Sequence, residues 1–222
     1  MTASVTRHRL PLADPVQADA LAAFLERLLR WEKNAAVRIQ AGDGVAALFA
    51  RPARFEVLAV RTARLADDAV ALDTTVAAGE LLELLDEPGA TLAVPAPVTG
   101  PPWAGVLPPR TGWEAQGELP PDAVRTVAAA AVAEFRERAE ALPEAERNRR
   151  RLDALAEEIW SRPLGRTGLP LRAAHAAHAL GFLHGSRPLR LLAAGPWLRL
   201  ATPHGSVAVR SGRPGQLPVT PA

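Results

Sequence analysis

Cysteine is absent from the 222 residues, which excludes a disulfide framework, thiolate chemistry and every zinc site built on cysteine. Long hydrophobic runs are absent as well. The most apolar run, Val127–Ala133, is far too short to cross a bilayer, and the first residues contain no apolar core of a secretion signal. We therefore expect a cytoplasmic protein with no membrane partner. Hydrophobic residues still make up 48% of the chain, enough for a real core.

Acidic residues are absent from the last part of the chain. Residues 159–222 contain no Asp or Glu, although they hold eight arginines and four of the five histidines. Net charge is −3 over residues 1–94, −1 over 95–121 and +6 over 122–222. This segregation allows two interpretations: the basic region contacts nucleic acid or another polyanion, or it docks onto an acidic partner, which includes the N-terminal half of the same chain.

Residues 1–94 show the pattern of an α+β unit. Asp14-Pro15 starts a helix, because Asp caps free backbone N–H groups and Pro fits the first turn. Alternation around Val37 and Ile39 then predicts strands joined by an Asp-Gly turn, with a further strand over 55–64. Thr74-Thr75 offers an N-cap for a short leucine-rich helix, and 90–94 is one more strand. The order predicts an antiparallel sheet.

Residues 95–121 form a segment rich in proline and tryptophan, called the strap below. Its eight prolines argue against a helix or a central strand. Trp103 and Trp113 favour a loop that lies across the domain and buries both rings, since an exposed indole wastes a large apolar surface. The alternative is a binding loop that presents Arg110 on a rigid turn before Trp113.

Residues 122–210 predict helices followed by a basic three-stranded sheet. Helices are expected from Asp122, with Val127 in the buried face, between Pro143 and Trp160, and over 169–180. Strands are expected over 189–192, 197–202 and 207–210, and the alternation places Arg190, Arg199 and Arg210 on one face. We expect the tail, residues 211–222, to be disordered.

The order helix, helix, basic hairpin is also that of a winged helix, although the connection over 161–168 is long for that motif. On this analogy, Arg190, Arg199 and Arg210 contact phosphates. Arg172 and His175, expected on the exposed side of the last helix, read base edges. His175 and His178 have a spacing that can bind metal, with His184 or His204 as a third ligand, but no carboxylate is near in sequence to orient them.

Signatures of catalysis are missing: the sequence has no nucleophile elbow, phosphate-binding loop, dinucleotide motif or metalloprotease motif. We predict no metal, no cofactor and no catalytic residue. The sequence thus predicts a non-enzymatic α+β binding or regulatory protein whose basic C-terminal region contacts nucleic acid. The alternatives are a protein-interaction or chaperone-like module for an acidic partner and, more weakly, an enzyme with a site between the two halves.

Overall fold

An eight-stranded antiparallel sheet joins both halves of the chain in a computed structural model, which describes residues 8–52 and 55–210. The first half holds β1 (Arg9–Pro11), α1 (Pro15–Trp31), β2 (Ala36–Gly42), β3 (Val45–Ala50), β4 (Leu58–Arg64), β5 (Leu72–Ala77), α2 (Ala78–Glu83), β6 (Leu85–Asp86) and β7 (Thr91–Ala93). The second holds β8 (Glu114–Leu119), α3 (Pro121–Glu140), α4 (Arg149–Trp160), α5 (Leu171–Ala179), β9 (Leu189–Ala194), β10 (Trp197–Thr202) and β11 (Gly205–Arg210). The predicted mixture of helices and antiparallel strands is confirmed.

Local signals specify the first helix and the first hairpin as predicted. The Asp14 side chain accepts a hydrogen bond of 3.0 Å from the backbone N–H of Gln17, and the apolar stripe of α1 is buried. Asp43 and Gly44 both have positive φ angles, 51° and 71°, the conformation of a tight turn between twisted strands. The start of α1 and the turn between β2 and β3 are therefore determined by residues next to them along the chain.

The two halves meet where β4 pairs with β11. The strand order is β5-β2-β3-β4-β11-β10-β9-β8, and the junction aligns Leu58 with Ala208, Ala59 with Val207 and Val60 with Ser206. The predicted basic three-stranded sheet, β9 to β11, is therefore not a separate wing. It continues the sheet of the first half, and the winged-helix arrangement is not confirmed.

Helices cover one face of this sheet, called the helix face, and form the larger core with it. At the junction, the rings of Phe24 and Phe182 stack with centroids 5.9 Å apart. The opposite face, called the strap face, carries a smaller core of Phe49, Leu58, Val60 and Ala208, against which residues of the strap pack. The junction is thus held by apolar contacts on both faces.

Several predicted element starts are wrong. Thr74 and Thr75 lie within β5, where β-branched side chains fit, and α2 begins at Ala78 with no side-chain cap. The strand expected from residue 55 begins at Leu58, and Pro120 rather than Asp122 occupies the cap of α3. Single-sequence cap signals cannot distinguish a capping side chain from one in the preceding strand or in the first turn.

The packing of α3 and the start of α4 also differ from expectation. Val127 is 38% exposed because α3 turns Val124, Ala128 and Ala131 toward the core instead. After Pro143 the chain forms a single 3-10 turn, and α4 begins only at Arg149.

Two further expectations concern membrane spans and the C-terminal tail. Within residues 8–52 and 55–210, no helix combines the length and apolar character that a membrane span requires. The tail that we expected to be disordered, residues 211–222, lies outside the described residues.

Candidate binding cleft at the junction of the two halves

The strap crosses the whole sheet on its strap face. Near its start, the N–H of Val98 donates to the carbonyl of Thr75 on β5, one edge of the sheet, over 2.8 Å. A 3-10 turn at Pro102–Gly105 then sets Trp103 against the smaller core. At its far end the strap becomes β8, the other edge strand. The strap therefore contains a 3-10 turn and an edge strand, and neither is the α-helix or the central strand against which its prolines argued.

Arg38 on β2 holds the middle of the strap. Its guanidinium makes two hydrogen bonds of 2.8 Å to the two carboxylate oxygens of Asp73, and its remaining nitrogen donates to the carbonyl of Ala104. The hydrogen bond from Arg38 lowers the pKa of Asp73, so this carboxylate stays charged. A planar, charged fork of this kind fixes the 3-10 turn relative to the sheet.

A cleft of about 730 Å³ opens between this turn, the β4–β11 junction and the loop before α5. This volume is in the range of sites that bind small molecules or a few inserted side chains. Its walls are mostly apolar, with one tryptophan from the strap and one from β10. The lining residues are Arg51, Glu56, Val57, Leu58, Pro102, Trp103, Val106, Ser161, Gly168, Pro170, Arg172, Trp197, Ala208, Val209 and Arg210.

The arginines of the cleft differ in whether they form ion pairs. Arg172 pairs with Glu56 and, over 2.8 Å, with Glu157, so it is neutralised within the protein. Arg51 and Arg210 are exposed, and neither has an ion-pair partner among the described residues. The cleft therefore presents two uncompensated positive charges beside apolar walls.

Arg172 and His175 are not exposed as predicted, because both lie where the halves meet. The Arg172 side chain is only 15% exposed and links Glu56 of the first half to Glu157 and Ser161 of the second. The ring of His175 is partly buried. It stacks on Trp160 at 4.1 Å and meets the edges of Trp31 and Phe55. Whether either residue touches nucleic acid stays a prediction, but neither presents a free side chain.

Burial changes the titration of His175. The pKa of its imidazole falls from the ordinary 6.5 to about 4, first because the aromatic surroundings disfavour the charged ring and second because His178 is near. His175 therefore acts as a neutral aromatic group that packs the two halves together.

Arg190, Arg199 and Arg210 do share the strap face, as the alternation predicted, but they are not equally accessible. Arg190 and Arg210 are exposed. Arg199 is partly buried beneath Trp113, whose ring centroid lies 4.3 Å from the guanidinium carbon. Its Nε has no hydrogen-bond partner in the described part of the chain, and burial lowers the pKa of the guanidinium. Arg199 is therefore covered, whereas Arg190 and Arg210 are accessible, and contact of the three with phosphates stays a prediction.

The strap residues named from sequence have distinct positions. Trp103 belongs to the smaller core and the cleft wall, whereas Trp113 covers Arg199; both are partly buried. Arg110 is exposed, and its charge contributes to the lowered pKa of Asp73. The strap thus packs on the sheet and also forms one wall of a cavity.

The basic C-terminal region is less free of acidic partners than its sequence suggested. Arg162 pairs over 2.8 Å with Glu134 and over 2.9 Å with Glu158, and Arg172 is paired as above. Glu134 and Glu158 precede residue 159, so a count of charges along the sequence could not show that they pair with Arg162. Part of the positive charge of the C-terminal region is therefore paired with carboxylates of the same protein.

The described residues do not assemble a metal centre, and several polar groups of the cleft are bound to one another. Among them, no cluster of three or more His, Asp or Glu could hold a metal ion, and the rings of His184 and His204 are 6.3 Å apart. In the cleft, the carboxylate of Glu56 is bound to Arg172, and the Ser161 hydroxyl is bound to Glu157 and Arg172.

Sequence reasoning missed Arg51 and Trp197. Trp197 precedes Arg199 by two residues on β10, so the alternation that placed Arg199 on the strap face also places Trp197 there. No local signal marks Arg51, because its role depends on the pairing of β4 with β11.

Two family models match consecutive parts of the chain. Residues 5–105 match the model described as "Domain of unknown function (DUF8010)", and residues 108–214 match "Domain of unknown function (DUF8185)". The border between the matches falls in the strap, after the 3-10 turn. Each match covers just under half of the chain, and no curated protein matches it.

Among solved structures, the chain is similar to "Crystal structure of DNA polymerase sliding clamp from Pseudomonas aeruginosa with ligand". The identity is 12% and the TM-score 0.48, over 91% of this chain and 64% of that chain. This chain therefore spans less than two thirds of that protein's length.

Proposed function

We propose that this chain is a non-enzymatic protein-interaction module whose junction cleft receives an acidic segment of a partner protein. One observation carries the proposal: Arg51 and Arg210, which have no ion-pair partner within residues 8–52 and 55–210, line an apolar cleft walled by Trp103 and Trp197. An acidic segment with a large apolar side chain satisfies both features, since its carboxylates meet the arginines and its apolar group enters the cleft.

Charge supports an anionic ligand. The carboxylate of Glu56 also lines the cleft, but Arg172 binds it, so it repels an incoming anion weakly. Arg51 and Arg210, in contrast, have no carboxylate partner among the described residues. An arginine beside an apolar wall is well suited to a carboxylate because its planar fork makes two parallel hydrogen bonds.

The residues that line the cleft favour a peptide over a long nucleic acid strand. Nucleic acid affinity comes mainly from many phosphate contacts, and among the described residues two unpaired arginines line the cleft. Much of the lining is apolar, including Leu58, Val106 and Pro170, and such walls bind an inserted side chain. The alternative interpretation of the sequence, an acidic protein partner, therefore agrees best with this site.

Selection from a random peptide library displayed on phage tests the proposal. Wild-type protein is the bait, and peptides that also bind the Trp197→Ala variant are removed. We expect the enriched peptides to combine Asp or Glu with Leu, Ile, Phe or Trp. Enrichment of basic peptides, or no enrichment beyond that of an unselected library, would contradict the proposed function.

A competition experiment checks whether the cleft recognises the carboxylates. A fluorescein-labelled copy of the most enriched peptide is bound to wild type and displaced with the unlabelled peptide or with a version in which Asn and Gln replace its Asp and Glu. We expect displacement by the unmodified peptide alone. Equal displacement by the neutral version would show that the cleft does not recognise the carboxylates, contrary to the proposal.

A further inference from the structure

Arg190, Arg199 and Arg210 lie on a diagonal across three strands of the strap face. In the observed register, Arg199 on β10 aligns with Leu192 on β9 and with Ala208 on β11. Arg190 is two residues from Leu192, and Arg210 is two residues from Ala208 in the opposite direction. Diagonal neighbours in a sheet are about 7–8 Å apart, which sets Arg190 and Arg210 roughly 15 Å apart with Arg199 between them.

Trp113 lies on the middle of this diagonal. Its indole packs over the Arg199 guanidinium at 4.3 Å, and its Nε1–H donates to the carbonyl of Pro109 over 2.8 Å. The ring is therefore fixed from below by a cation and at its edge by a hydrogen bond, and it remains partly exposed. The strap face thus presents an immobilised aromatic ring flanked by two exposed arginines.

We infer that Trp113, Arg190 and Arg210 form a binding surface for single-stranded nucleic acid. An aromatic ring supplies a stacking platform for an unpaired base, and cations on either side meet the phosphates of neighbouring nucleotides. A duplex hides the faces of its bases and meets this flat sheet only through its backbone. The surface therefore discriminates single strands from duplexes.

Charges around the surface leave it positive. Glu118 on β8 aligns with Arg190 without forming an ion pair among the described residues, and Glu114 follows Trp113 directly. Arg110 precedes Trp113 in the strap, and Arg51 lies beyond Arg210 at the cleft. The arginines outnumber the carboxylates, so attraction to phosphate is retained but modest.

This inference is independent of the proposed function, although Arg210 belongs to both sites. Trp197 and Arg51 belong to the cleft, whereas Trp113 and Arg190 belong to the new surface. Peptide binding that fails in Trp197→Ala and oligonucleotide binding that fails in Trp113→Ala are therefore separate results.

The test is fluorescence anisotropy of fluorescein-labelled oligo(dT) of 15 nucleotides and of a duplex of the same length, over a salt series. We expect the single strand to bind more tightly at low salt. Its affinity should fall with a slope of about −1.4 in log K against log salt, for two phosphate contacts. Trp113→Ala should weaken binding roughly tenfold, and Trp113→Phe should retain most of it.

The double variant R190Q/R210Q should abolish most of the salt dependence. Its control is R136Q/R150Q, which removes two exposed arginines of α3 and α4, in the helix layer, and should bind like wild type. Four outcomes would overturn the inference. The first three are no binding of oligo(dT) by wild type at low salt, equal affinity for the duplex, and equal loss in both double variants. The fourth is a loss in Trp113→Phe as severe as in Trp113→Ala, which would show that the ring only supports the strap.

Discussion

Protonation of His175 should destabilise the protein, because its ring packs between the two halves in neutral form. It stacks on Trp160 of α4 and contacts the rings of Phe55 and Trp31 from the first half. The unfolded chain has no such surroundings, so its imidazole keeps the ordinary pKa of 6.5, whereas the folded pKa is about 4. The unfolded state therefore takes up the proton first as pH falls.

The size and direction of the effect follow from this pair of values. The stabilisation is fully present above pH 6.5, is lost progressively between pH 6.5 and 4, and falls no further below pH 4. The full difference is about 3 kcal/mol, at 1.36 kcal/mol per pKa unit, and about 2 kcal/mol of it is lost by pH 5. This is a substantial fraction of the stability of a typical domain.

Urea unfolding at pH 7.5 and pH 5 measures the effect. The variant His175→Phe keeps an aromatic ring in place but cannot take up a proton, so it removes the titration. Wild type should lose about 2 kcal/mol more than this variant on acidification. His8→Gln, at an exposed position of the first half far from this ring cluster in sequence, is the control and should behave like wild type. Equal losses in wild type and His175→Phe would refute the burial of a neutral histidine.

Three further predictions concern the junction and the strap. Gly205→Ala should lower the free energy of unfolding by about 2–3 kcal/mol, because the new Cβ would lie 2.6 Å from the Phe182 ring and the residue has a φ of +149°. Its control, Gly195→Ala, also has a positive φ but open space around the new Cβ, and should lower it by about 1 kcal/mol. Trp103→Ala should cost about 2–3 kcal/mol and expose the strap to limited proteolysis, which should spare the strap in wild type. Arg172→Ala should cost about 1–2 kcal/mol in thermal or urea unfolding, and an unchanged stability would show that its ion pairs do not hold the halves together.

Local sequence signals predicted those parts of the fold that neighbours along the chain determine. The Asp14-Pro15 start of α1 and the turn at Asp43-Gly44 depend on caps and φ preferences within a few residues. The strands β9 to β11 were predicted because period-two alternation is visible in a single sequence. The face shared by Arg190, Arg199 and Arg210 followed from the same alternation.

Contacts between distant residues could not be predicted in this way. The pairing of β4 with β11 joins segments almost 150 residues apart, and it creates the cleft. The same junction buries Arg172 and His175, which helical periodicity alone placed on an exposed side. The packing of Trp113 over Arg199 is likewise a contact between two distant segments. A single sequence therefore overestimates the exposure of side chains that a distant segment covers.

The central claim, that the cleft binds an acidic segment through Arg51 and Arg210, is tested most directly by one affinity measurement. The labelled peptide from the display selection is titrated with wild type, R51Q/R210Q and the control R136Q/R150Q at low salt. Two partly exposed arginine–carboxylate contacts, at about 0.5–1 kcal/mol each, predict a five- to thirtyfold weaker Kd for R51Q/R210Q alone. An unchanged Kd in R51Q/R210Q, or an equal loss in the control, would contradict the claim.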